Sequence, residues 1–184
     1  MRLPFNEAKL TQAAAYLLRL NRGKMNYMSL IKLLYLVDRT ALLNWGRPVT
    51  TDCYVSMDRG PVLSKTLDLI NEKREPGTDR FWSRYISAPR NYSVMLLKNP
   101  GTSELSSAEE KLIREILAQH RDKDPWELVR FVHQLPEWKN PDGGAIPISY
   151  TDILRAGKKT DHQVLEIKEE IDSIAALHEM TCFH

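Results

Sequence analysis

A chain of 184 residues, 42% hydrophobic and 27% charged, can bury a real core in one domain without covalent staples, which excludes extensive disorder. Its 26 basic and 24 acidic residues leave a net charge of +2, which argues against a nucleic-acid partner. Two cysteines, no apolar leader-like segment at Met1–Leu10 and no membrane-length apolar run point to a reducing, cytoplasmic setting.

In chain order, Asn6 is placed to cap a first helix. Leu10, Ala13, Ala14, Leu17 and Leu18 line one face of it, and Gly23 supplies a left-handed stop. The second helix, about Tyr27 to Trp45, is apolar nearly all round, which predicts the buried centre of the domain. Gly46 closes it and Pro48 prevents continuation. Lys32, Tyr35, Asp38 and Arg39 interrupt this apolar helix. Charges there must be paired, so we expect an internal network pinning neighbouring segments. The rival, an active-site acid at Asp38, has no nucleophile or metal partner nearby in the sequence.

Tyr54 to Met57 alternates as a strand and Asp58-Arg59 is turn-like. Gly60-Pro61 is expected to end the strand, with Pro61 opening a helix from Val62 to Lys73. A turn is expected at 75–79. Phe81–Ile86 and Tyr92–Leu97 are expected to be hairpin strands, joining Tyr54–Met57 in one antiparallel sheet. Alternation would then leave at least one aromatic among Phe81, Trp82 and Tyr85 partly exposed. Capping boxes at Ser106/Glu109 and Asp124/Glu127 start two more helices. A long connection spans 136–147, a short helix covers Ser149 to Ala156, and a last helix runs from Asp161 to about Met180. Its narrow seam of Val164, Ile167, Ile171, Ile174 and His178 is expected to pack on its own domain, ahead of docking a partner or a second copy. The fold class is α+β, mainly α-helical: one domain of about seven helices with a small antiparallel sheet of about three strands.

Catalytic signatures are absent: no Gly-rich phosphate loop, GxSxG or HExxH occurs, and no cofactor or metal is expected. His133 reads as a half-buried structural histidine. His178, Cys182 and His184 read as a frayed tail, because a structural zinc site normally needs four ligands.

The stretch "LIKLLYLVDRTALLNWGRPVTTDCYVSMDRGPVLSKTLD", from Leu30 to Asp68, resembles the signature of the Panacea antitoxin domain, also called SocA-like or phage-associated GepA-like. Lys32 to Tyr35 and Asp38-Arg39 match its helix, Gly46 to Thr50 its Gly-Arg-Pro turn, and Tyr54 to Val62 its strand running into Gly-Pro-Val. "LSSAEEKLIREIL", "WELVRFVHQLPEWKNP" and "IPISYTDILRAG" follow in the family's order, so the likeness covers about residues 5 to 157. Met57-Asp58-Arg59 departs from the proline or histidine that often precedes the family's Gly-Pro. The resemblance implies a bacterial or prophage antitoxin, not an enzyme, that binds a toxin encoded by an adjacent gene. One branch of the family instead delivers its toxin to a Clp-type protease. Regulation of the operon is a further alternative, as is a homodimer. It also implies a 1–160 antitoxin domain with 161–184 as a C-terminal helix and tail. Lys32, Tyr35, Asp38, Arg39, Gly46, Pro48, Gly60 and Pro61 are then scaffold. Arg47, Tyr54, Met57, Asp58, Arg59 and Trp82 are the candidate toxin contacts.

Overall fold

The computed structural model describes residues 3–71 and 81–181. Asn6 caps α1 (Glu7–Leu20) by accepting from the Lys9 amide. The chain leaves α1 through Arg22 and Gly23, both at positive φ, and enters the short strand β1 (Lys24–Asn26). Next comes α2 (Tyr27–Trp45), closed by Gly46 in the left-handed conformation. A hairpin of β2 (Tyr54–Met57) and β3 (Gly60–Leu63) leads into α3 (Ser64–Ile70). The helix α4 (Phe81–Tyr85) precedes β4 (Ser93–Met95). The two capping boxes form as expected at α5 (Ser107–His120) and α6 (Pro125–Val132). The strand β5 (Ile146–Ile148), α7 (Tyr150–Ala156) and α8 (Asp161–Thr181) complete the described chain.

Helix α2 is the spine. Leu30, Leu34, Val37, Ala41 and Leu42 are wholly buried, and α1, α5, α6, α7 and the β2–β3 hairpin surround it. Among the described residues there are eight helices and two small antiparallel sheets, so the mainly helical α+β reading holds.

The details of the β structure differ from expectation. Gly60-Pro61 does not end the sheet; it begins β3, with Ser56 opposite Pro61 and Met57 opposite Gly60. Pro61 is tolerated because β3 is an edge strand in the order β3-β2-β5, and α3 starts only at Ser64. Phe81–Tyr85 is helical, not a strand. The i, i+4 spacing turns Trp82 and Ile86 into the core, and leaves Phe81 and Tyr85 half-buried with ring centroids 4.8 Å apart. β4 pairs with β1, not with β2, and β5, at the end of the expected connection 136–147, takes the place beside β2. Of the expected 81–97 hairpin, two isolated bridges remain, Ile86 to Leu96 and Arg90 to Ser93. Strand propensity marks which residues can extend, but it carries no address for the partner. The turn at 75–79, the end of the helix expected to reach Lys73, and Cys182 and His184 lie outside the described residues.

On α8, Val164, Ile171 and Ala175 are buried, and Ile167 packs so closely on Gly46 that a Cβ there would meet its Cγ1 at 3.3 Å. Ile174 and Leu177 stay exposed.

Candidate functional site

Four polar residues of α2 tie three different segments to it. Asp38 is fully buried. Its Oδ1 accepts the Val49 and Thr50 amides at 2.9 and 2.8 Å, and its Oδ2 accepts the Thr50 hydroxyl and, at 2.9 Å, the Tyr54 phenol. Asp38 thus folds the chain after α2 back against it and anchors β2. Lys32, 1% exposed, donates to the Pro61 carbonyl at 2.8 Å and ties down β3. Tyr35 and Arg39 converge on Oε1 of Glu137, donating at 2.9 and 2.6 Å, and so fix the segment after α6.

Burial sets the electrostatics. It pushes the Asp38 carboxyl up to about 6, against the pull of four donors, and lowers the Lys32 ammonium to about 7. The Tyr35 and Tyr54 phenols are raised, first by burial and then by the Glu137 and Asp38 carboxylates respectively. Both Asp38 oxygens are occupied by donors, which makes the group a latch and leaves it poorly placed to abstract a proton.

A second buried carboxylate repeats the device. Leu63, at the N-cap of α3, has no side-chain cap. Asp52 supplies one from a distance, accepting the Lys65 and Thr66 amides, each at 2.9 Å, and the Thr66 hydroxyl at 2.8 Å.

These tethers present the β2–β3 turn. Gly60 has φ +93°, and a Cβ there would lie 2.6 Å from Val132 and 3.3 Å from Lys32 Nζ, so glycine lets the turn press onto α2 and α6. Trp138 Nε1 donates to the Met57 carbonyl at 3.1 Å, and the Gly143 amide donates to Asp58 at 3.0 Å. His133 is half-buried and stacks on Trp138 with centroids 4.2 Å apart. Burial, and then the Lys32 charge, hold its imidazole below the usual range. Outside the turn, the Arg59 guanidinium sits 5.3 Å from the ring centroid of Trp126, which is 53% exposed.

The candidate contacts separate by depth. Tyr54 and Trp82 are each only 3% exposed; both serve the core, and they offer a partner almost no surface. Met57 is half-buried, and Asp58 and Arg59 are exposed. Arg47 is exposed on a different surface, an open groove lined also by Phe5, Thr51 and Ile174. Sequence reasoning did not single out Glu137, Asp52 or Trp126. The demand of Tyr35 and Arg39 for an acceptor was the available signal for Glu137. For Asp52 and Trp126 there was no comparable signal.

Among the described residues, no group of three His, Cys, Asp or Glu side chains is placed to hold a metal ion, and no helix is long and apolar enough to cross a membrane. No curated protein and no solved structure matches this chain. A family model does, that of the SocA-like antitoxins with a Panacea domain, over residues 30–139, a span from the first turn of the spine through Glu137 that contains the four tethers of α2 described above. The chain therefore belongs to the SocA-like, Panacea-domain antitoxin family.

Proposed function

We propose that this protein is the antitoxin of a bacterial or prophage toxin–antitoxin pair and that it neutralises its toxin by direct, stoichiometric binding. The observation that carries the reading is the use of the family's polar signature. Lys32 and Asp38 are spent on internal tethers that hold the β2–β3 hairpin, Tyr35 and Arg39 on one that holds the Glu137 segment, and the groups left outward around the hairpin are of the interface kind. Arg59 and Trp126 form an exposed cation–π pair beside Met57 and Asp58, and Arg and Trp dominate interface hot spots. Arg47 forms part of the contact only if the toxin also reaches the groove beside Phe5.

The test is co-expression of the adjacent gene with this one in a growth assay, followed by co-purification. We expect a toxic neighbour, rescue that titrates with antitoxin dose, and a stable complex. Replacing Arg59 or Trp126 by alanine should weaken that complex by about 2 kcal/mol, roughly thirtyfold in Kd. Rescue that requires an intact Clp-type protease identifies an adaptor instead. Rescue without a complex points to regulation of the operon or to catalysis.

A further inference from the structure

The net charge of +2 conceals an uneven distribution. Residues 19–27 contain Arg19, Arg22 and Lys24, residues 81–100 contain Arg84, Arg90 and Lys98, and neither segment has a single Asp or Glu. The β1–β4 sheet brings the two segments together, with Lys24 opposite Met95, Met25 opposite Val94 and Asn26 opposite Ser93. Met25 and Val94 are buried, so alternation turns Lys24 and Met95 to the other face. The Leu96 amide donates to the Gly23 carbonyl, which sets Arg22 beside Leu97. The Arg90–Ser93 bridge brings Arg90 to the same end as Tyr92.

That outer face is apolar at its centre. Met95 is 41% exposed and Leu97 58%, and Tyr92, in the turn at its end, is 71% exposed. Its rim is cationic, and among the described residues Arg22, Lys24, Arg90 and Lys98 have no carboxylate partner. Exposed Met, Leu and Tyr ringed by unpaired cations have the composition of an unfilled interface.

We infer that this face docks a carboxylate-rimmed protein surface with an apolar centre, presented by the toxin. This rests on the antitoxin reading and adds a second contact, distinct from the Arg59–Trp126 hairpin. Charge complementarity selects the acidic rim. The apolar centre selects protein over nucleic acid. A phosphodiester strand would satisfy the cations but leave Met95 and Leu97 in water, whereas a protein surface covers both.

The experiment uses the full chain and the toxin with which it co-purifies. Two variants probe the face, Lys24→Glu with Lys98→Glu, and Leu97→Asp; Lys158→Glu is the control at an exposed site elsewhere. Lys24 and Lys98 belong to the rim and Leu97 to the apolar centre, and thermal melts establish that each variant remains folded. We expect the double reversal to slow association roughly tenfold at low salt and to flatten its salt dependence, because rim charges act on encounter. Leu97→Asp should weaken the complex roughly tenfold through faster dissociation, and the control should match wild type. A complex indifferent to both face variants overturns this inference and leaves the antitoxin reading standing. So does loss of binding to a single-stranded oligonucleotide in the double reversal while the toxin complex is unchanged. Failure of the wild-type chain to form any toxin complex removes both.

Discussion

Asp38 and Lys32 carry opposite charges into the same spine, and neither forms an ion pair there; each is met by backbone or hydroxyl groups of a neighbouring segment. Removing such a group strands its partners. Asp38→Ala would leave the Val49 and Thr50 amides and the Tyr54 hydroxyl without their acceptor, and should cost at least about 2 kcal/mol. An unchanged denaturation midpoint would refute the latch. Lys32 gives a pH signature. Its ammonium titrates at about 7 in the fold against 10.5 for the unperturbed group. The unfolded chain therefore holds more protons between those values, and stability rises with pH across that window. From pH 7 to about 9.5 the wild-type protein should gain roughly 2–3 kcal/mol more than Lys32→Met, read from denaturant midpoints at the two pH values. Asp38 works in the opposite sense at lower pH. Its carboxyl stands at about 6 in the fold against 3.8 unperturbed, so its contribution falls as pH rises from about 4 to 6 and is flat above.

At the scale of elements, α8 poses the main question. Val164, Ile171 and Ala175 are buried, and α7 is its principal neighbour. Deleting residues 161–184 would expose the α7 surface that these side chains cover, along with the flank of Gly46 beneath Ile167. The truncated protein should aggregate or melt well below wild type in a thermal scan. A soluble truncation that melts like wild type but binds toxin poorly would instead assign the helix to partner docking. The hairpin obeys the same logic of mutual support. β3 is an edge strand containing a proline, and it is held by Lys32 on one side and by pairing to β2 on the other.

For the molecule as a whole, an antitoxin acting by occupancy needs a rigid frame and an outward surface. α2 provides the frame by tethering the 49–50 loop, β2, β3 and the Glu137 segment to one helix. In the reading proposed above, that surface divides between the hairpin tip, where Arg59 meets Trp126 of α6, and a basic-rimmed sheet face around Met95 and Leu97. If neutralisation is by stoichiometric occupancy, as proposed, toxicity should return sharply once toxin exceeds antitoxin, whereas a catalytic antidote would protect at sub-stoichiometric dose. Titrating the two inducers independently measures the difference.

The amino-acid pattern alone determined the helices other than α4, because their signals are local: apolar spacing along α2, capping boxes at α5 and α6, and a glycine stop at Gly46. It also implied that Lys32, Tyr35, Asp38 and Arg39 must find partners, since burying a charge or phenol without one is costly. Which partners they find was decided only in three dimensions. Glu137 lies about a hundred residues from Tyr35, and Asp52 caps a helix that begins twelve residues later. Strand pairing was likewise non-local: β4 chose β1 over the nearer 81–86 segment, which became a helix once Trp82 and Ile86 could both reach the core. Exposure followed the same rule. Nothing in the types Tyr54, Trp82 and Trp126 distinguishes the two that fill the interior from the one that faces water, because burial depends on what the rest of the chain brings to each side.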